Sequence, residues 1–210
     1  MNAKQNPIRV LSVDDHPLFR EGVASLVAAQ DDLKLVAEAS NGQEAVERFR
    51  AHRPDVTLMD LQMPEMNGVE AMIAIRAQFP SARIIVLTTY AGDAQVLRAL
   101  EAGAQAYLLK SVLRKELPDT IRLVHAGHKR IVPEVATTLA EHAADEVLSP
   151  REIEVLERIA AGNANKIIAD QLSITEETVK GHVKNILAKL AANDRTHAVT
   201  IGLKRGIIQL

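Results

Sequence analysis

Five side chains in the first 110 residues of the 210-residue chain have the types and setting for one chemistry: Asp14 and Asp15 in "VDDHP", Asp60 in "TLMDLQMPEMNG", Thr88 in "LTTY" and Lys110 in "AYLLK". Each ends or follows a short apolar run, so each is carried out of a core at the end of a strand. In an open α/β sheet such strand ends line the ligand crevice. Taken singly they have ordinary uses: Asp14 or Asp15 can cap the helix after Pro17, Thr88 can cap the next turn, and Lys110 can be solvated. Together, three carboxylates on one rim repel and raise one another's pKa unless a cation joins them. A hard oxygen donor set, read here without a histidine or cysteine ligand, favours Mg²⁺, which keeps several waters and contacts one or two carboxylates plus a phosphate oxygen. A carboxylate left facing an in-line phosphoryl group is a nucleophile able to form an acyl phosphate, with the Lys110 ammonium as counter-charge. Asp60 is then aimed at the metal, and "MPEMNG" turns the chain so that the Gln62 backbone carbonyl also reaches it.

The elements that must position these residues alternate. "IRVLSV", "LKLVAEA", "DVTLMD", "ARIIVLTT" and "AQAYLLK" read as strands, with helices starting near Pro17, Gly42, Gly68, Asp93 and Arg114. Five strand–helix pairs imply βαβ units and a doubly wound α/β domain with a five-stranded parallel sheet over residues 8–126. The third and fourth runs are almost continuously apolar, as expected of parallel strands covered by helices on both faces. Residues 127–145 lose the alternation, and Gly127 and Pro133 interrupt them, so a linker is expected there. Beyond it, residues 146–210 form a small all-α domain with four helical segments near 150–161, 164–171, 176–190 and 195–205. Ser149-Pro150 places a cap before a first-turn proline, and Thr175 followed by Glu176 and Glu177 puts a cap and acids at the positive end of a helix.

The motifs "VDDHP", "DLQMPEMNG", "LTTY" and "AYLLK" resemble those of the response regulator receiver domain over residues 8 to about 126. The resemblance implies a flavodoxin-like sheet of order 2-1-3-4-5, with Asp60 as phospho-acceptor. It implies Asp15, Asp60 and the Gln62 carbonyl as metal ligands, Asp14 as a supporting acid, Thr88 as the hydroxyl that follows the phosphate, and Lys110 as its counter-charge. Tyr107 stands where receivers place an aromatic that swings inward with the threonine; its plain alternative is a strand-edge filler. Ser111 replaces the proline that many receivers carry after the lysine. Gln62 and Tyr90, two residues beyond the acceptor and the threonine, should flank the phosphoryl group and control the access of hydrolytic water.

In the helical end, "LSPREIEVLERIAAGNANKIIADQLSITEETVKGHVKNILAKL" contains short amphipathic helices with a tight connection at "LSIT", a helix-turn-helix pattern. Over 176–190, Val179, Val183, Ile186 and Leu190 form a core stripe, and Lys180, Gly181, Lys184 and Ala188 form the opposite one. That basic face with small side chains suits a major groove about 12 Å wide. Lys166 and the helix start at Thr175 would meet phosphates, with Thr178, Lys180, Gly181, His182, Lys184 and Asn185 as the remaining candidate DNA contacts. "LSPREIEVL", "NKIIADQLSITEETVKGHVKNILAKL" and "DRTHAV" resemble the LuxR-type DNA-binding domain, so the whole chain resembles a NarL/FixJ-type response regulator. Gly181 departs from the β-branched residue usual in that family, and glycine there costs about 1 kcal/mol of helix propensity.

Net charge is −2, but residues 148–210 hold nine Lys+Arg against seven Asp+Glu. Such a small excess gives one domain little counterion-release energy, and two copies double the phosphate contacts. A homodimer on double-stranded promoter DNA is therefore expected, with Ala198, Ile201 and Leu203 of the last helix as its surface. Cysteine is absent, which removes disulfides and thiol chemistry. Without a secretory start or an apolar run approaching about 18 residues, a cytoplasmic protein with no membrane partner is expected. The resulting expectation is a transcription regulator, not an enzyme. It takes a phosphoryl group from a sensor histidine kinase, and the new charge biases an existing conformational equilibrium. Two other classes remain: an aspartate-nucleophile phosphohydrolase, which would want an acid where Gln62 stands, and a phospho-switched protein adaptor.

Overall fold

The computed structural model describes residues 6–89, 93–131 and 146–208, which fall into two compact units. In the first unit, β1 (Ile8–Val13), β2 (Leu33–Ala39), β3 (Val56–Asp60), β4 (Ile84–Thr88), β5 (Ala106–Leu109) and β6 (Arg130–Ile131) form one sheet in the order β2-β1-β3-β4-β5-β6. Every neighbouring pair is parallel. Helices α1 (Pro17–Ala28), α2 (Gly42–His52), α3 (Gly68–Gln78), α4 (Asp93–Glu101) and α5 (Leu113–His125) follow the first five strands in turn.

All residues of β3 and β4 are buried, which explains their unbroken apolar runs: neither face of a central parallel strand meets water. Leu11, Leu58, Met59, Ile84, Ile85, Leu87 and Leu108 fill the sheet's core, and Leu117 and Ile121 of α5 are buried with them. Local signals set the helix starts. Pro17 opens α1, Asn41 accepts from Glu44 N–H at the start of α2, and Asn67 forms a reciprocal cap with Glu70 on α3. The chain leaves β1 for β2 on one side and reaches β3 on the other, so the reversal point lies between the carboxyl ends of β1 and β3.

The expected five-strand order is present and is extended at its edge by β6. Residues 130–131 therefore belong to the sheet, not to a linker starting at 127. Arg130 N–H donates to Gln105 O at 2.8 Å, and its guanidinium reaches Glu116 at 2.9 Å and Thr120 at 3.0 Å on α5. A two-residue strand carries no readable period, which is why the sequence pattern stops at α5. Most of the expected linker lies outside the described residues. Among the described residues, no helix is long and apolar enough to cross a membrane.

The second unit contains α6 (Pro150–Ala160), α7 (Asn165–Leu172), α8 (Glu176–Lys189) and α9 (Arg195–Lys204). Ser149 and Glu152 form a reciprocal cap on α6, Thr175 accepts from Thr178 N–H on α8, and Asp194 accepts from His197 N–H on α9. Ser173 takes a left-handed conformation, φ 54°, which ends α7 and turns the chain into α8. Val155, Leu156, Ile168, Val179, Ile186 and Ala198 form the core. Gly202 permits close packing of α9, because an added Cβ would come within 2.9 Å of Leu156 Cδ2.

Candidate functional site

The polar ends of β1, β3, β4 and β5 gather on one rim of the sheet. Asp14 follows β1, Asp60 ends β3, Thr88 ends β4 and Lys110 follows β5. Parallel pairing sets their common level, since Asp60 is in register with Leu87 and Thr88 with Leu109. Asp14, Asp60 and Thr88 are buried, Asp15 is half-buried, and the Lys110 side chain is 13% exposed.

Lys110 Nζ lies 2.6 Å from Asp14 Oδ2 and 2.9 Å from Asp60 Oδ2. Burial acts against this ammonium, yet the two carboxylates outweigh it and lift its pKa above the usual lysine value. Burial and the neighbouring Asp14 push the Asp60 carboxyl above its usual range despite the Lys110 hydrogen bond. Among the described residues, Asp60 Oδ1 has only a long contact, 3.4 Å, from Gln62 N–H. Beyond Asp60 the chain passes through Glu65 in the left-handed region, φ 66°, before Asn67 caps α3. Tyr107 is fully buried; burial pushes its pKa up to about 12, although the neighbouring Thr88 hydroxyl pulls it down. The aromatic is thus inside the fold, not a filler at the strand edge. Gln62 is exposed beside the rim, and Tyr90 lies outside the described residues.

Two residues at this rim were not anticipated. His16 Nδ1 is 2.7 Å from Asp15 Oδ1 and 3.3 Å from Asp14 Oδ1, so an imidazole joins the carboxylates and the purely oxygen set read from the sequence is incomplete. Its adjacency in "VDDHP" was the available signal. The Phe19 ring lies under Lys110, with Nζ 4.4 Å from its centroid. Phe19 reads as an apolar helix position in the sequence, because its pairing with a lysine 91 positions later appears only once the strands are ordered.

The rim fits a divalent cation. Ligand atoms of Asp14, Asp15, His16 and Asp60 lie within 4.8 Å of one another. Asp14 Oδ2 and Asp15 Oδ1 are buried and, among the described residues, accept no hydrogen bond of good geometry; the Lys110 ammonium and the His16 imidazole lie close beside them. A metal would satisfy these oxygens without requiring their protonation. Such an acidic cluster suits Mg²⁺, a hard cation that prefers oxygen ligands.

In the helical unit, Val179, Ile186 and Leu190 are buried and Val183 packs against them, while Lys180, Gly181, Lys184, Asn185 and Ala188 are exposed. Lys166, Thr175 and Thr178 are also exposed, and His182 is half-buried. Lys180 is 3.4 Å from Glu177 and 3.7 Å from Glu176, so the basic face contains its own counter-charges. At the far end of α8, Lys189 Nζ reaches Glu152 at 2.8 Å and Val147 O at 3.2 Å. Ala198 must be removed from the expected dimer surface. It is 1% exposed and packs in the core, because α9 turns that face onto α6 where Gly202 allows close approach. Ile201 and Leu203 are only partly covered.

Comparison with known proteins agrees with this architecture. Residues 10–122 match the response regulator receiver domain family, and residues 146–201 match the luxR family of bacterial regulatory proteins. The response regulator protein VraR of Staphylococcus aureus is 39% identical over 207 residues, covering 96% of this chain and 99% of VraR. The crystal structure of ChrA, a response regulator in a heme-sensing two-component system, is 36% identical with a TM-score of 0.59, covering 97% of this chain and 100% of ChrA. A structure of two RcsB dimers bound to two parallel DNAs is 25% identical with a TM-score of 0.69, covering 95% of this chain and 99% of RcsB.

Proposed function

Because the chain belongs to the response regulators, with a receiver domain followed by a luxR-family domain, we propose that phosphorylation of Asp60 controls its binding to promoter DNA. The carrying observation is the Asp14–Lys110–Asp60 constellation at the ends of three separate strands.

Asp60 Oδ2 is engaged by Lys110, so Oδ1 is the attacking oxygen. It attacks the phosphorus of a sensor kinase's phosphohistidine, forming an O–P bond and displacing the imidazole. The P–N bond breaks, its electron pair returns to the imidazole, and an acyl phosphate forms on Asp60. Asp15, Asp60 and the Gln62 carbonyl, supported by Asp14, would hold Mg²⁺. When bound, the ion supplies positive charge against the phosphoryl oxygens. Lys110 then shifts its ammonium toward the new dianion. The buried Thr88–Tyr107 pair supplies a responsive element: the Thr88 hydroxyl turns to a phosphoryl oxygen, and Tyr107 settles behind it. Gln62 and Tyr90 control the water that removes the phosphate.

Lys180, Gly181, Lys184 and Asn185 on α8 form the groove-facing surface. Thr178 and the half-buried His182 border it, while Thr175 and Lys166 meet phosphates. A second copy docks through the partly covered Ile201 and Leu203 side of α9, doubling the phosphate contacts. The test has two arms. Purified chain given Mg²⁺ and a small acyl-phosphate donor should gain the mass of one phosphoryl group, and Asp60→Asn should gain none. Phosphorylated and unphosphorylated protein should then differ in duplex affinity at one fixed salt concentration; equal affinities would remove the switch.

A further inference from the structure

We infer that Phe19 is a positioning residue for Lys110, its ring face forming the third contact of the ammonium; this role rests on the phosphoryl-acceptor reading of Asp60. Lys110 Nζ has Asp14 Oδ2 at 2.6 Å, Asp60 Oδ2 at 2.9 Å and the Phe19 centroid at 4.4 Å. Of the three ammonium N–H groups, one donates to Asp60 Oδ2, and the Asp14 charge and the aromatic face lie beside the other two.

The ring and the lysine reach the rim from different elements. Lys110 leaves β5 directly into a 3₁₀ turn over Lys110–Val112, and its flexible four-carbon stem does not aim the charge. Phe19 belongs to the opening turn of α1, where Pro17 sets the helix start and Phe19 N–H donates to His16 O at 3.1 Å. Phe19, Val23 and Val27 share one stripe at spacings of four, and both valines are 1% exposed. The stripe that docks α1 on the sheet therefore ends at the rim with a ring under the ammonium.

An aromatic face suits this place better than an aliphatic side chain or a hydrogen-bond acceptor. Its quadrupole attracts the cation over the whole ring, so Lys110 can tilt from the Asp60 carboxylate to a phosphoryl oxygen without losing the contact. An acceptor would hold the ammonium in one direction, and an aliphatic group would offer no charge stabilisation.

The test uses the full chain with Mg²⁺ and acetyl phosphate. Phe19→Leu and Phe19→Met keep most of the apolar volume and should slow phosphorylation at saturating donor by about tenfold, whereas Phe19→Tyr and Phe19→Trp should stay within about threefold of the parent. In NMR spectra the Lys110 ε-methylene protons should be shifted upfield by the ring in the parent, Tyr and Trp proteins, and should return to ordinary positions in the Leu and Met proteins. Parental rates in a folded Leu or Met variant, equal slowing in all four variants, or no ring shift in the parent would each overturn the role. A parent that gains no phosphoryl group sinks the acceptor reading and this role with it, and the ring shift, which needs no phosphate, separates that failure from a missing contact.

Discussion

The backbone carbonyl of Asp60 runs directly against Gly68: a Cβ built on residue 68 would overlap the Asp60 carbonyl oxygen and approach the carbonyl carbon to 2.9 Å. Gly68 N–H also donates to Leu61 O at 3.1 Å, tying the start of α3 to the end of β3. Gly68→Ala should therefore cost about 2–3 kcal/mol in denaturant unfolding and slow Asp60 phosphorylation, because the clash is with backbone that cannot swing aside. An alanine variant as stable and as readily phosphorylated as the parent would show that the turn can relax.

Mg²⁺ should stabilise the receiver unit, because it satisfies Asp14 and Asp15 oxygens that accept no well-formed hydrogen bond. At ten times its dissociation constant the gain is about 1.4 kcal/mol. Calorimetric melting with and without Mg²⁺ measures it, and Asp15→Asn should remove most of the shift. A shift of the same size in that variant would place the ion elsewhere.

Acid should weaken the helical unit through Glu152. Burial pushes this carboxyl up, but the Lys189 ammonium at 2.8 Å and the Ser149 N–H at 2.7 Å outweigh it and hold its pKa below the ordinary 4.5. A depressed folded-state pKa gives stability that is fully present above the ordinary value and is lost as pH falls through the folded one. The urea midpoint of the α6 and α8 amide signals should fall as pH drops from about 5 to 3, and Glu152→Gln should flatten that dependence. If the parent and Gln profiles superimpose, the Glu152–Lys189 pair does not govern acid sensitivity.

Gly181 is exposed in the middle of α8, and a Cβ there meets nothing within 4 Å. The fold makes no demand for glycine at this point, so Gly181→Ala should raise the stability of the helical unit by up to about 1 kcal/mol. Thermal unfolding decides this, and a lower melting temperature would reveal a constraint absent from the packing.

Lys180, on the groove-facing surface, should also neutralise one phosphate at the groove wall once DNA displaces its exposed pairs with Glu176 and Glu177, which are weak in water. Lys180→Ala should weaken binding across sequences and make the slope of log affinity against log salt shallower by about 1. An unchanged slope would move the contact away from this residue.

Most of the architecture is legible locally. Apolar runs ending in Asp60 and Thr88, the Asn67–Glu70 and Ser149–Glu152 caps, and the Val179–Ile186–Leu190 stripe are all short-range patterns that strand and helix periods impose on the chain. The acid rim is legible for the same reason, since each member stands at the end of its own strand. Other features have no local trace. The short β6 depends on an edge left open by β5, and the burial of Ala198 depends on the face α9 presents to α6.

The sequence by itself determined the first five strands, the helices, and which acids, hydroxyl and ammonium leave the core at strand ends. Only the tertiary structure decided that Phe19 lies under Lys110, that Tyr107 is buried beside Thr88, and that Glu152 meets Lys189. The physical reason is that backbone hydrogen bonding and amphipathic burial repeat over a few residues and mark the sequence. Side-chain encounters between distant segments are set by strand order and packing geometry, which leave no repeat to read.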